Sequence, residues 1–258
     1  MKNRIEYLWR LVATAGCYAV FYASAFVFIV LVLPVIHVVF QNSASRNRKV
    51  RWIINKYFIF FVRLMVGLGC IHIGLYGADQ LKSRSPRMVI ANHPSYLDIV
   101  ILLSLIPNAC CIVNSNLLSN PFIGLIVKSA GFICNKMDSE QVINDCISAL
   151  NSGCPIIFFP EGTRSVPGRA FKFHRGFAHV VLKSGFDIQP VTINCEPSIL
   201  AKSVPWYKIP DRSAKFIIHA KQNMKASNIT DVHEAPAIAA RKVVRYLECY
   251  YDKEMGIR

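Results

Sequence analysis

Residues 88–105, MVIANHPSYLDIVILLSL, hold the transition on which the fold turns. Four apolar residues of strand character, Met88 to Ala91, run into Asn92 and His93. Pro94 then suits a first helical position, where its missing N–H would have no partner in any case. Strand, polar turn and apolar helix in that order make one unit of an α/β layer. His93 falls at the turn, and Asp98 follows about one turn inside the helix. At this spacing the two lie on different faces of a continuous helix, so they meet only if the histidine stands outside it, as Pro94 suggests. A carboxylate so placed would hold one imidazole nitrogen and leave the other to accept a proton from a hydroxyl. The same residues also read as plain structure, with Asn92 capping the helix, His93 exposed and Asp98 complementing the helix dipole.

Working outward, short β-rich runs alternate with helical patterns. The runs are 110–113, 131–135, 155–160 and 188–193; residues 95–106, 139–151 and 174–185 read as helices covering a sheet. This alternation predicts an α/β domain with a mostly parallel central sheet. Residues 215–220 add a late strand, and 234–252 a closing amphipathic helix. One of the runs, PIIFFPEGTRS at 155–165, passes from an apolar strand into Glu161, Gly162, Thr163, Arg164 and Ser165. Loops at the carboxyl ends of parallel strands are where such folds place ligands. Gly162 lets backbone approach a ligand, and Arg164 offers a planar fork for phosphate or carboxylate. Glu161 would orient that arginine or bind an acceptor hydroxyl; a turn with a surface Glu–Arg pair is the plain alternative.

The 258 residues are 53% hydrophobic, with mean hydropathy +0.35, a high value for a purely soluble enzyme. Residues 11–40 contain no Asp, Glu, Lys or Arg. As a helix they would extend roughly 45 Å against a hydrocarbon core of roughly 30 Å. Pro34 would end or kink that helix, leaving a single span and a re-entrant hairpin both open. The apolar stretch continues into Arg46, Arg48, Lys49 and Arg51, unlike a cleaved signal peptide. Net charge is +15, and residues 1–77 hold nine Lys and Arg against one acid, Glu6. Basic residues beside an apolar span favour anionic lipid head groups, and no nucleic-acid motif accompanies them. Residues 52–73 read as a helix with Lys56 and Arg63 on one face, lying in the membrane interface or packed on the domain. These features divide the chain into membrane-anchoring helices, 1–77, and a catalytic domain, 78–258. Nine cysteines without a Cys-x-x-Cys pair read as reduced thiols, and His37, His72, His174, His179, His219 and His233 show no metal-ligand spacing.

Together the two segments resemble the lysophospholipid acyltransferases, the family that includes 1-acylglycerol-3-phosphate acyltransferase. The family's Asn-His-x-x-x-x-Asp block stands here as Asn92, His93 and Asp98, and its Phe-Pro-Glu-Gly-Thr-Arg-Ser block is complete from Phe159 to Ser165. Phe173-His174-Arg175-Gly176 and Ile188-Gln189-Pro190-Val191 match later blocks. One block departs: where members acting on lysophosphatidic acid usually carry an arginine after a Gly-aromatic strand, this chain has Asn135-Lys136. Lysine keeps the charge but loses the bidentate fork. The sequence is also similar to bacterial branches acylating other lipids, including ornithine lipids and lipids from polyene gene clusters.

The resemblance implies a membrane-bound enzyme, with His93 as general base and Asp98 orienting it. Arg164, assisted by Arg175 or Lys136, would hold the acceptor head group beside Glu161, Gly162 and Thr163. An acyl-coenzyme A or acyl-carrier protein would be the donor, a lysolipid the acceptor and membrane lipids the surroundings, without cofactor or metal. Backbone N–H groups from Pro94 to Leu97, proline excepted, are the candidate donors to the developing oxyanion. A bacterial inner membrane with the catalytic domain facing the cytoplasm is the expected location. Two other readings use the same residues: a thioesterase activating water, and a silent protein that binds lipid or acyl carrier without transfer.

Overall fold

The computed structural model describes residues 2–83, 85–135, 139–201, 204–231 and 234–257. Helix α1 (Lys2–Val27) passes through a π-helical turn, Phe28–Val32, into α2 (Leu33–Val39). Pro34 neither ends nor breaks this rod. Lacking an N–H for the carbonyl four residues back, it follows a widened turn that makes room for its ring. Among the described residues, Arg4–Val39 is the one helical stretch long and apolar enough to cross a membrane.

After a short reversal, Asn42 caps α3 (Ser43–Gly67) by accepting from Ala44 and Ser45 N–H at 2.9 and 3.2 Å. Val50, Ile54, Phe61 and Met65 are buried, and buried Asn55 donates to the carbonyls of Leu103 and Ser104. Helix α3 therefore packs on the domain, with Lys56 and Arg63 exposed on its outer side. It stops at Gly67. Residues 71–76, whose first three the expected helix over 52–73 would include, form strand β1 (Ile71–Tyr76). The sheet thus begins upstream of residue 78.

The chain continues through α4 (Ala78–Lys82), β2 (Met88–Ala91), α5 (Leu97–Leu105), β3 (Cys110–Asn114), α6 (Pro121–Ala130), β4 (Ile133–Asn135) and α7 (Ser139–Asn151). β5 (Ile156–Phe158), α8 (Gly176–Ser184), β6 (Ile188–Glu196), β7 (Ala214–Ala220) and α9 (Pro236–Glu254) follow. Seven strands form one sheet in the order β1-β7-β6-β2-β5-β3-β4. All neighbours are parallel except β6 and β7. Alternation along β2 feeds two cores. Met88 and Ile90 join Phe177, Val243, Leu247 and Tyr251 from α8 and α9, while Val89 and Ala91 join residues of α3 and α5. Every β2 residue is buried.

Fully buried Arg87 precedes β2. Its guanidinium donates to Gln189 Oε1 and to the carbonyls of Gln80, Leu81, Ser83 and Ser85. Burial lowers its pKa, yet five acceptors surround it, so the start of β2 is fixed by a saturated cation.

Candidate active site

At the other end of β2, buried Asn92 makes a reciprocal bond with Ile193. Its Nδ2 donates to the carbonyl at 2.8 Å, and its Oδ1 accepts from the N–H at 2.7 Å. Asn92 therefore pins β2 to β6 and caps no helix. Helix α5 begins at Leu97, so Pro94 lies in a preceding turn and not at the first helical position. Inside that turn Ser95 Oγ accepts from Leu97 N–H at 3.3 Å, and Asp98 Oδ2 accepts from Ser95 N–H at 2.7 Å, a reciprocal cap. The turn holds His93 outside the helix and lets its Nδ1 reach Asp98 Oδ2 at 2.9 Å.

Asp98 is fully buried and the His93 side chain is 17% exposed. Burial pushes the Asp98 carboxyl above its ordinary range, against the opposing pull of His93 and the Ser95 N–H. Its second oxygen, Oδ1, is buried with no hydrogen-bond partner among the described residues. The ring of His93 stacks on Phe159, centroids 4.2 Å apart, so imidazole plane and tautomer are both constrained. The sequence assigns Phe159 no role; its one signal is its place directly before Pro160.

The 159–165 loop closes on the histidine from the far side. Ser165 N–H donates to the His93 carbonyl at 2.8 Å, and His93 N–H donates to Ser165 Oγ at 2.9 Å and Glu161 Oε1 at 3.1 Å. Ser165 Oγ donates in turn to Glu161 Oε1 at 2.5 Å. Glu161 thus holds the histidine turn in place and does not orient Arg164. Burial raises its carboxyl pKa, opposed by the Ser165 and His93 bonds. Gly162 has φ +65°, and a Cβ there would meet the His174 ring at 3.1 Å. Thr163 is exposed.

Arg164 lies over the Tyr96 ring, 3.7 Å from its centroid, and donates to Tyr96 Oη at 3.1 Å and the Leu200 carbonyl at 2.8 Å. The loop carrying Leu200 continues to the N-terminal helix, where Trp206 meets Tyr18 and Arg10 donates to the carbonyls of Pro210 and Asp211. Arg175 is exposed and lines a separate groove with α9, while Lys136 lies outside the described residues. Of the candidate oxyanion donors, the Ser95 and Leu97 N–H groups are already bonded within the turn. Among the described residues no group of three or more His, Cys, Asp and Glu is placed to hold a metal ion.

The site is thus a histidine–aspartate pair at a strand end of a parallel-rich α/β sheet, beside an arginine loop. Residues 72–194 match the sequence model of the family described as Acyltransferase. Over 126 residues the chain is 33% identical to the chloroplast 1-acyl-sn-glycerol-3-phosphate acyltransferase of Arabidopsis thaliana, covering 47% of this chain and 35% of that one. The enzyme of that name from Helicobacter pylori is 32% identical over 133 residues, 49% of this chain and 56% of the other. The matched region thus spans about a third of the Arabidopsis relative and about half of the Helicobacter one. The crystal structure of a 1-acyl-sn-glycerophosphate acyltransferase from Thermotoga maritima shares the fold, with TM-score 0.66, 19% identity and coverage of 95% of this chain and 97% of that one. Over residues 72–194, just under half of its length, the chain is thus similar to the acyltransferase family and to 1-acyl-sn-glycerol-3-phosphate acyltransferases.

Proposed function

We propose that the protein moves an acyl chain from a thioester donor, acyl-coenzyme A or acyl-carrier protein, to the free hydroxyl of a phosphate-bearing lysolipid at a membrane. The observation that carries this reading is the 2.9 Å contact from His93 Nδ1 to buried Asp98 in a turn locked by Glu161 and Ser165. With Nδ1 committed, Nε2 is the nitrogen that takes the hydroxyl proton as its oxygen attacks the thioester carbonyl. Collapse of the tetrahedral adduct breaks the C–S bond, and the leaving thiolate receives the proton back from the imidazolium. The division of labour is that of a hydrolase triad, with the substrate supplying the nucleophile.

Arg164, flat on Tyr96, offers its fork to the acceptor phosphate on the side where the 197–213 loop meets the N-terminal helix. That placement, and the apolar stretch Arg4–Val39, support a lipid acceptor arriving from a membrane. The working location is a bacterial inner membrane, with the catalytic face toward the cytoplasm.

The test is a panel of lysolipids presented in nanodiscs with both donor types, products identified by mass. His93→Ala should lower transfer by roughly two to four orders of magnitude with membrane association unchanged. Free fatty acid as the only product would assign a thioesterase, and absence of turnover with every pair a silent binding protein.

A further inference from the structure

The segment after the 159–165 loop carries a second cluster that acceptor binding does not use. Residues 170–175 and α9 enclose a groove of about 470 Å³. Lys172, Arg175, Arg241 and Arg245 line it together with Glu248 and Asp252. The two carboxylates are turned to the backbone: Glu248 accepts from Phe173 N–H at 2.7 Å and Asp252 from Phe171 N–H at 2.9 Å. None of the four cations forms an ion pair among the described residues. On α9, residues 241, 245, 248 and 252 follow helical spacing and so share one face.

The groove is joined to the histidine loop through His174, the residue before its lining Arg175. His174 N–H donates to the Pro160 carbonyl at 2.8 Å, next to Phe159, whose ring lies on His93. It lies on the α9 side of the sheet, opposite the face covered by α3 and α5, whereas Arg164 reaches the loop tied to α1. Arg164 and the groove cations therefore lie toward different faces of the sheet, one toward the apolar helices and the others away from them.

We propose that the α9 groove seats the phosphate-rich nucleotide end of the thioester donor, a nucleoside carrying several phosphates on a pantetheine arm. The proposal rests on the acyl-transfer reading. Four cations without an ion pair among the described residues suit a multiply charged anion better than the single phosphate of a lysolipid. The volume falls in the range of small-molecule sites, roughly 300–1,000 Å³, and the groove is concave, whereas docking of an acidic carrier protein needs roughly 800 Å² of surface on each partner.

Exposed Cys249 lines the groove and reports on it without turnover. In the full-length protein in nanodiscs, desulfo-coenzyme A should slow alkylation of Cys249. The double variant Arg241→Glu/Arg245→Glu should weaken that protection roughly tenfold or more. Its KM for acyl-coenzyme A should rise by a similar factor, while the KM for lysolipid and the rate with an acyl-pantetheine lacking the nucleotide stay as in the wild type. Cys249 left unprotected in the wild type overturns the proposal, whether or not the variant folds. So does an equal loss with the truncated donor, or a charge dependence confined to acyl-carrier protein. Protection without turnover on any lysolipid supports the groove and removes the acyl-transfer reading instead.

Discussion

Asp98→Asn separates the two jobs of one carboxylate. Its Oδ2 accepts from Ser95 N–H, which caps α5, and from His93 Nδ1. Asparagine keeps an acceptor for Ser95, so the cap survives, but it carries no charge. With the amide oxygen in the place of Oδ2 both bonds persist and the charge alone is lost; an amide turned the other way would force the imidazole proton onto Nε2 and lose the Ser95 cap as well. With charge centres about 4 Å apart and an effective dielectric near 20, the lost stabilisation of imidazolium is about 4 kcal/mol. At about 1.4 kcal/mol per decade this is roughly three orders of magnitude in rate. Stability moves differently. Burial raises the Asp98 pKa, so the folded state holds this proton more tightly than the unfolded chain. Its contribution to stability is greatest below the ordinary carboxyl range and is lost as pH rises through the folded value. Asparagine does not titrate, so the Tm of Asp98→Asn relative to wild type should climb as pH rises above the ordinary carboxyl range. Asp98→Ala, which strips the acceptor from Ser95 N–H, should instead lose about 1–3 kcal/mol. Acyl transfer followed by mass spectrometry, with scanning calorimetry on the same samples, reads both effects. An Asp98→Asn protein retaining a third or more of wild-type activity would reduce Asp98 to a helix cap and refute the reasoning.

Arg164→Lys keeps the charge but gives up the planar stack on Tyr96 and the paired donors; in mixed micelles the acceptor KM should rise about tenfold with the donor KM unchanged. Tyr251→Phe removes a buried hydroxyl that donates to the Ile90 carbonyl and accepts from Val191 N–H, so thermal denaturation should show a loss of about 1–3 kcal/mol. Burial pushes the Cys111, Cys146 and Cys195 thiols up to about 12, while Cys249 is exposed. Iodoacetamide at about pH 8 should therefore label Cys249 well before those three, and a peptide map with Cys111 or Cys195 modified first contradicts the packing.

Strands β2, β3, β4, β5, β6 and β7 were legible because each lies in a short apolar run, rich in β-branched or aromatic residues or cysteine, closed by a polar turn. β1 was not. Ile71–Tyr76 continues an apolar helix with no polar break, and Gly74 sits in its middle; it is recognisable as a strand only beside β7, distant in sequence. The meeting of His93 with Asp98 could be read because Pro94 and the five-residue spacing already place the histidine outside the helix. The work of Glu161 and Asn92 could not, since both act by hydrogen bonds to backbone brought near by folding, His93 N–H in one case and Ile193 in the other. Pro94 misled by one turn: its absent N–H suits a tight turn as well as a helix start, and the Ser95–Asp98 cap decides between them.

Tyr251 ties α9 to the strand that ends at His93, and this fixes an order of events during synthesis. A chain made from its amino end delivers the apolar helices first, then the histidine turn, then the arginine loop, and only afterwards the helix whose hydroxyl locks Ile90 to Val191. Until residue 251 has left the ribosome, the strand leading to the histidine lacks that lock. The strand that carries His93 is thus braced on this side by a segment made about 160 residues later, so its final packing is a late event of folding.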